Sequence, residues 1–384
     1  MEVTIIEDQF ILKTKVFFNN QSLQYLKKIT GSRALIVSDS IMETLGYLQE
    51  VIDYLQESGI TSTVFTGVRP DPDVSIIADG LKLYRESGAD VLVAIGGGSA
   101  IDTAKGILYF ERKFESTEGK EMPKPLFIAI PSTSGTGSEV TDFSVITSEG
   151  EKVVIIDEFI APDIAILDST CIQHVPQRVV ADTGIDVLVH AIEAYVSTKA
   201  TDFTDALCEK SIKLIFENLE TFFKDSKNTQ ARDRVLNASC IAGMAFTNTG
   251  LGINHSLAHA FGGTFHISHG RSNALLLDAV IEFNANLGGS ADGYAADRYA
   301  KLAEVLKLPA RTRREGTVNF MLALKRLKKS LKVEDNIRSL GINQSEFEDA
   351  LEQLAETALL DRCTPTNPRQ PSKQDLIRIY QKCY

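Results

Sequence analysis

Val91-Leu-Val-Ala-Ile95 runs straight into Gly96-Gly97-Gly98-Ser99, and Ala100-Ile-Asp-Thr-Ala-Lys105 follows with helical spacing. A buried strand, a glycine turn and a helix start, in that order, belong to a parallel sheet with crossover helices. The turn is also an anion site by construction. Glycines let backbone N–H groups close on a pyrophosphate, and the helix N-terminus adds partial positive charge there. A tight turn with positive φ needs one glycine; three in succession, with Ser99, point to a ligand. The spacing is neither GxGxxG nor a Walker A sequence.

The surrounding sequence keeps the same rhythm. Ala34–Ser38, Thr61–Thr66 and Val91–Ile95 read as strands, with helical segments Met42–Leu55 and Val74–Arg85 between them. Asp73 is placed to cap the second helix and Gly88 to end it. Further extended segments are expected at Leu126–Ile130, Ser144–Thr147, Val153–Asp157 and Ile164–Leu167. Beyond Pro176 the pattern turns helical, through Val179–Ser197, Phe203–Phe223, Arg232–Thr247 and on to the C-terminus. The expected architecture is an α/β dinucleotide-binding domain with a parallel sheet over 1–178, then an all-helical domain over 179–384. No Ser/Gly linker separates them, so they should pack together and form a cleft.

Composition narrows the classes of partner. Forty Lys and Arg against fifty-one Asp and Glu leave a formal charge of −11, which repels nucleic acid and anionic membranes over most of the surface. Val235 to Gly270 holds no charged residue other than histidine. Its asparagines, histidines and glycines suit the buried centre of a globular domain better than a lipid-facing span. Five cysteines without a CxxC pair read as reduced cytosolic thiols. The opening run carries acids and no basic flank, so it does not read as a signal peptide.

Three more features suggest chemistry. The loop Pro131-Ser-Thr-Ser-Gly-Thr-Gly-Ser-Glu139 follows an expected strand at its C-terminal end, where such sheets bind ligands. Asp39 ends the first strand; its carboxylate could bond a ribose and repel a 2′-phosphate, or simply cap the next helix. Asp186 and His190 stand four apart on one helix face, and His255, His259, His266 and His269 cluster further on. A carboxylate and imidazoles on separate helices can give a divalent metal an N/O site. Spacing alone does not choose among the four clustered histidines. His174, isolated from them, reads as a hydrogen-bonded core residue.

Taken together, these stretches resemble the iron-containing (group III) alcohol dehydrogenase family over essentially the whole chain. The motifs that carry the resemblance are Gly96–Lys105, Pro131–Glu139, Asp182-Thr-Gly-Ile-Asp-Val-Leu-Val-His-Ala-Ile-Glu-Ala-Tyr195, Gly252-Ile-Asn-His-Ser-Leu-Ala-His259 and His269-Gly270. The resemblance implies metal ligands at Asp186, His190, His255 and His269, with His259 a catalytic histidine near the nicotinamide. It implies cofactor contacts at Asp39, Gly96, Gly97, Gly98, Ser99, Thr133, Thr136 and Lys152. Iron(II), or zinc, and NAD(H) are the implied cofactors, and a homodimer or larger homo-oligomer the implied assembly.

The implied reaction interconverts short-chain aldehydes and primary alcohols. Ala200–Leu207 and Asp361-Arg-Cys-Thr-Pro-Thr-Asn-Pro-Arg369 look most like propanol and ethanol dehydrogenases of diol and ethanolamine breakdown, which often work inside bacterial microcompartments. This sequence opens without the amphipathic extension that would address it there. A polyol dehydrogenase, a lyase resembling dehydroquinate synthase, a metal-dependent hydrolase and a non-catalytic nucleotide sensor are the competing readings.

Overall fold

The computed structural model describes residues 9–119, 123–148 and 151–384; most of the opening run read for a leader lies outside them. Six parallel strands form one sheet: β1 (Lys15–Phe18), β2 (Arg33–Val37), β3 (Thr61–Phe65), β4 (Val91–Gly96), β5 (Leu126–Pro131) and, after the β6–β7 hairpin described below, β8 (Ile164–Leu167). Their order is β1-β8-β5-β4-β2-β3. The central strands are continuous apolar runs because helices cover both faces: Leu92, Ala94, Phe127 and Ala129 face one cluster, while Val91, Val93, Ile128 and Ile130 face another. The crossover helices are α1 (Ser40–Thr44), α2 (Tyr47–Glu57), α3 (Val74–Ser87) and α4 (Gly98–Glu118). Asp73 caps α3 through Ile76 N, and Gly88 ends it in the left-handed conformation.

Two features depart from the expected strand pattern. β1 was not expected; it is four residues long, pairs only with β8 at the sheet edge, and so has no buried alternation to announce it. Ser144–Thr147 and Val153–Asp157 do lie in extended segments, but β6 (Phe143–Ser148) and β7 (Glu151–Ile156) form a separate antiparallel hairpin. That hairpin is fastened to α4 by Ser144 Oγ donating to Asp102 O, and to the α3 entrance by Thr147 N donating to Pro72 O.

The remainder is helical: α5 (Gln177–Val196), α6 (Asp202–Lys224), α7 (Thr229–Thr249), α8 (Ile253–Phe265), α9 (His269–Asn284), α10 (Tyr294–Val305), α11 (Arg313–Ser330), α12 (Gln344–Leu360) and α13 (Lys373–Cys383). α5 is the central helix, buried from Ile185 through Val196, and α6, α7 and α9 pack around it. The uncharged stretch supplies most of α7, lodged in this core, and all of α8, buried in a second cluster against α9, α12 and α13. Among the described residues no helix is long and apolar enough to cross a membrane. His174 does not fit its expected core role: it is exposed in the turn before α5, with the Tyr47 ring of α2 tilted toward it at 6.5 Å.

Candidate active site

α5 carries Asp182, Asp186, His190 and Glu193 on one face, at spacings of four, four and three in a helix that is otherwise apolar from Gly184 onward apart from the Tyr195 hydroxyl. His255 comes from α8 and His269 from the first position of α9. One donor atom from each of Asp186, His190, His255 and His269 lies within 4.8 Å of the other three. Asp182 fixes the α9 start. It accepts from Arg271 Nε at 2.7 Å and from Ser268 Oγ at 2.8 Å, and Arg271 in turn pairs with Glu334. Gly270 permits the approach, since a β-carbon there would stand 2.3 Å from the Asp182 carbonyl oxygen.

The donor chemistry fits a divalent cation. His255 Nδ1 faces Glu193 Oε2 at 2.5 Å, so His255 Nε2 is left with its lone pair, 3.9 Å from Asp186 Oδ1. His269 Nε2 is 3.6 Å from the same oxygen. Asn273 Nδ2 lies 2.7 Å from Asp186 Oδ1, 3.3 Å from His255 Nε2 and 3.1 Å from His269 Nε2, so two N–H groups face three acceptors. Burial holds His190 down to about 4 and His269 to about 3, which keeps these imidazoles neutral, the form a metal would need. Burial also pushes Asp186 up, and Glu193 up to about 8. A dication held among them would supply the missing positive charge and would reverse that trend.

His259 sits one turn beyond His255 and stacks on His269, ring centroids 5.2 Å apart. Its Nδ1 donates to Asp361 Oδ2 at 2.9 Å. Burial raises the Asp361 carboxyl, but bonds from His259 and the Cys363 amide outweigh it and hold the group near 2. His266 is exposed and ends α8 in the left-handed conformation, which sets it apart from the cluster.

Across a cleft of about 540 Å³ stand the glycine turn and the hydroxyl loop; Gly98, Ser99, Thr136 and Lys152 line it together with the metal-site residues and His259. Gly97 and Thr133 meet just behind: a β-carbon on Gly97 would lie 3.5 Å from the Thr133 methyl. Gly96 has φ near +155°. Asp39 lies beyond the cleft lining; its Oδ1 accepts from Ile41 N and Met42 N as the α1 cap, while Oδ2 faces Gly96. Lys152 pairs with Asp71 at 2.8 Å. Beneath the turn, fully buried Lys105 donates to Ser138 O, Ser138 Oγ, Thr141 Oγ1 and Phe143 O, tying α4 to the hydroxyl loop and the hairpin. Phe246, stacked on His190 at 4.5 Å, and Leu251 make the cleft apolar beside the metal site.

Glu193, Asn273, Asp361 and Lys105 were not singled out from the sequence. Glu193 had a signal, being in phase with Asp186 and His190 on α5; Asp361 is 102 residues from its partner His259 and had none.

A parallel sheet with a glycine turn, facing a helical domain with a three-histidine, one-carboxylate cluster, defines a dinucleotide- and metal-binding class of fold. The chain belongs to the iron-containing alcohol dehydrogenase family. Its model "Iron-containing alcohol dehydrogenase" matches residues 13–169, and "Fe-containing alcohol dehydrogenase family, C-terminal" matches residues 180–384. The chain is 39% identical to an aldehyde-alcohol dehydrogenase of Streptococcus pneumoniae over 97% of its own length but only 45% of that protein, so it spans about half of that relative. It is 37% identical to an NADPH-dependent butanol dehydrogenase of Clostridium saccharobutylicum, covering 98% of both chains. It is 38% identical to the 1-propanol dehydrogenase PduQ of Citrobacter freundii, covering 94% of this chain and 95% of that one. The solved iron-containing alcohol dehydrogenase from Thermococcus thioreducens superposes with a TM-score of 0.89 at 35% identity, covering 98% of this chain and 99% of that one.

Proposed function

We propose that this protein interconverts short-chain primary alcohols and aldehydes, propanal and 1-propanol among them, by hydride exchange with NAD(H). The observation that carries the reading is the cluster of Asp186, His190, His255 and His269 facing a glycine turn across one cleft. An iron(II) or zinc ion held by those four residues would polarise a carbonyl or stabilise an alkoxide, and NAD(H) would carry the hydride.

The chain's own residues do the rest. The backbone at Gly96, Gly97, Gly98 and Ser99, with Thr133, Thr136 and Lys152, binds and orients the dinucleotide. Asp39 disfavours a 2′-phosphate through the carboxylate oxygen turned toward Gly96. Phe246 and Leu251 exclude water and leave room for a short alkyl chain. His259, held by Asp361 through Nδ1, has Nε2 free to pass the hydroxyl proton toward solvent. A cytoplasmic or microcompartment setting and assembly as a homo-oligomer belong to the same reading and rest on the family motifs.

The test is anaerobic oxidation of NADH by propanal, with metal-stripped protein reconstituted with Fe²⁺ or Zn²⁺, in wild type and His269→Ala. Turnover that requires the ion, disappears in the variant and falls with NADPH is expected. Absence of turnover with every combination of ion and coenzyme overturns the reading.

A further inference from the structure

Among the described residues one other group of side chains is close enough to share an ion: His259, Asp361 and Cys363, each offering one donor atom within 4.8 Å of the other two. His259 and Cys363 line the same cleft as the four-donor site and Asp361 bonds to both, yet none of the three is a member of that site. The donors differ in kind. Asp361 Oδ2 accepts from His259 Nδ1 at 2.9 Å, and the same carboxylate is bonded by the Cys363 thiol. Oδ1 accepts from Cys363 N at 2.8 Å and Ser256 Oγ at 3.2 Å, which fixes the carboxylate in place. An ionised carboxylate with an N–H and an S–H aimed at it is the protonated form of an N/O/S chelate.

We propose that His259, Asp361 and Cys363 form a second, inhibitory site for a soft divalent cation such as Zn²⁺ or Cd²⁺, separate from the four-donor site. Zinc bonds of about 2.3 Å to sulfur and about 2.0–2.1 Å to nitrogen and oxygen put donors roughly 3.3–3.8 Å apart, so the His259 Nδ1–Asp361 Oδ2 pair opens from its hydrogen-bonded 2.9 Å while every donor stays inside the observed 4.8 Å. Cys363 Sγ binds as thiolate and its proton leaves to water; the His259 proton moves from Nδ1 to Nε2, and the vacated Nδ1 lone pair takes the ion. One proton is released per ion bound, so binding weakens as pH falls. The thiolate gives the site a preference for soft ions that the sulfur-free site of Asp186, His190, His255 and His269 lacks. Occupancy also withdraws His259 from proton transfer; that consequence rests on the function proposed above.

The sulfur supplies the test. Protein already holding one equivalent of Fe²⁺ is titrated anaerobically with Cd²⁺, following thiolate-to-cadmium charge-transfer absorbance and total bound metal. Whichever ion fills the four-donor site, no sulfur is there. Cys171, Cys208, Cys240 and Cys383 are buried and outside the cleft lining, so they do not compete. A thiolate band that grows with a second bound equivalent is expected in wild type. Cys363→Ser and Cys363→Ala should lose band and second equivalent while keeping the first, which also shows that they fold. A single equivalent with no band, or a band that persists in both variants, overturns the proposal. Propanal turnover run in parallel should fall as the band grows in wild type and stay level in the variants; turnover unaffected by the second ion overturns the inhibitory role. A band from a protein that never turns over propanal supports the site and sinks the dehydrogenase reading instead.

Discussion

Glu193 Oε2 stands 2.5 Å from His255 Nδ1, and the same carboxylate's Oε1 accepts from the Asn254 amide at 2.6 Å, so one buried acid from α5 fixes both the tautomer and the tilt of a ring on α8. Partners of this kind typically contribute about 10–100-fold to metal affinity. Glu193→Ala should therefore weaken Fe²⁺ or Zn²⁺ binding by about that factor, read by competition with a chelator. Glu193→Gln, whose amide oxygen can still accept from Nδ1–H, should lose less. Equal affinities in all three proteins would reduce Glu193 to a core residue.

Asp39 does two things with two oxygens, and a single substitution separates them. Oδ1 caps α1 and Oδ2 faces Gly96. Asn caps as well as Asp, so Asp39→Asn removes the charge and keeps the helix start. The NADPH to NADH ratio of kcat/KM should rise about tenfold, a change of ~1.4 kcal/mol, with Tm unaltered. Should the ratio stay put, Asp39 is a cap and nothing more.

Two glycines near the metal site make a matched pair. A β-carbon at Gly270 would meet the Asp182 carbonyl at 2.3 Å, and backbone cannot step aside as a side chain can. One at Gly263 would meet nothing within 4 Å. Gly270→Ala should cost about 1–3 kcal/mol and displace His269, weakening metal binding with it. Gly263→Ala, in an open helical position, should be neutral or stabilising by up to ~1 kcal/mol. Thermal unfolding with and without added metal checks both; a Gly270→Ala protein with unchanged affinity would show that α9 is free to shift.

What could be read from the sequence followed the range over which each feature is encoded. The glycine turn was legible because strand, turn and helix start fall within fifteen consecutive residues, Val91 to Lys105, each with its own local signature. Asp186 and His190 were legible because one helical turn joins them. The choice among His255, His259, His266 and His269 was not, since either an i,i+4 or an i,i+3 pair satisfies a helix; the turn at His266 and the α5–α9 contact at Gly270 decide which rings converge, and both are tertiary facts. The resemblance to a family made that choice in advance. Nothing local pairs Asp361 with His259 or folds Lys105 beneath the hydroxyl loop, because a lysine in an amphipathic helix ordinarily points to water.

Glu139, at the end of the hydroxyl loop, is buried with Oε1 unpartnered, and burial pushes it from the usual 4.5 up to about 7 despite the pull of Lys105. Between those two values the folded protein keeps a proton that the unfolded chain has lost, so this group makes stability fall as pH rises, and the cost is complete above about 7. Glu139→Gln removes the titration. The Tm of the variant relative to wild type should therefore be higher at pH 8 than at pH 5, by the equivalent of about 1–3 kcal/mol. Paired unfolding curves at the two pH values decide it. A difference that does not change with pH, or that shrinks toward pH 8, would mean that Lys105 keeps Glu139 ionised throughout and that the two form a buried ion pair under the loop.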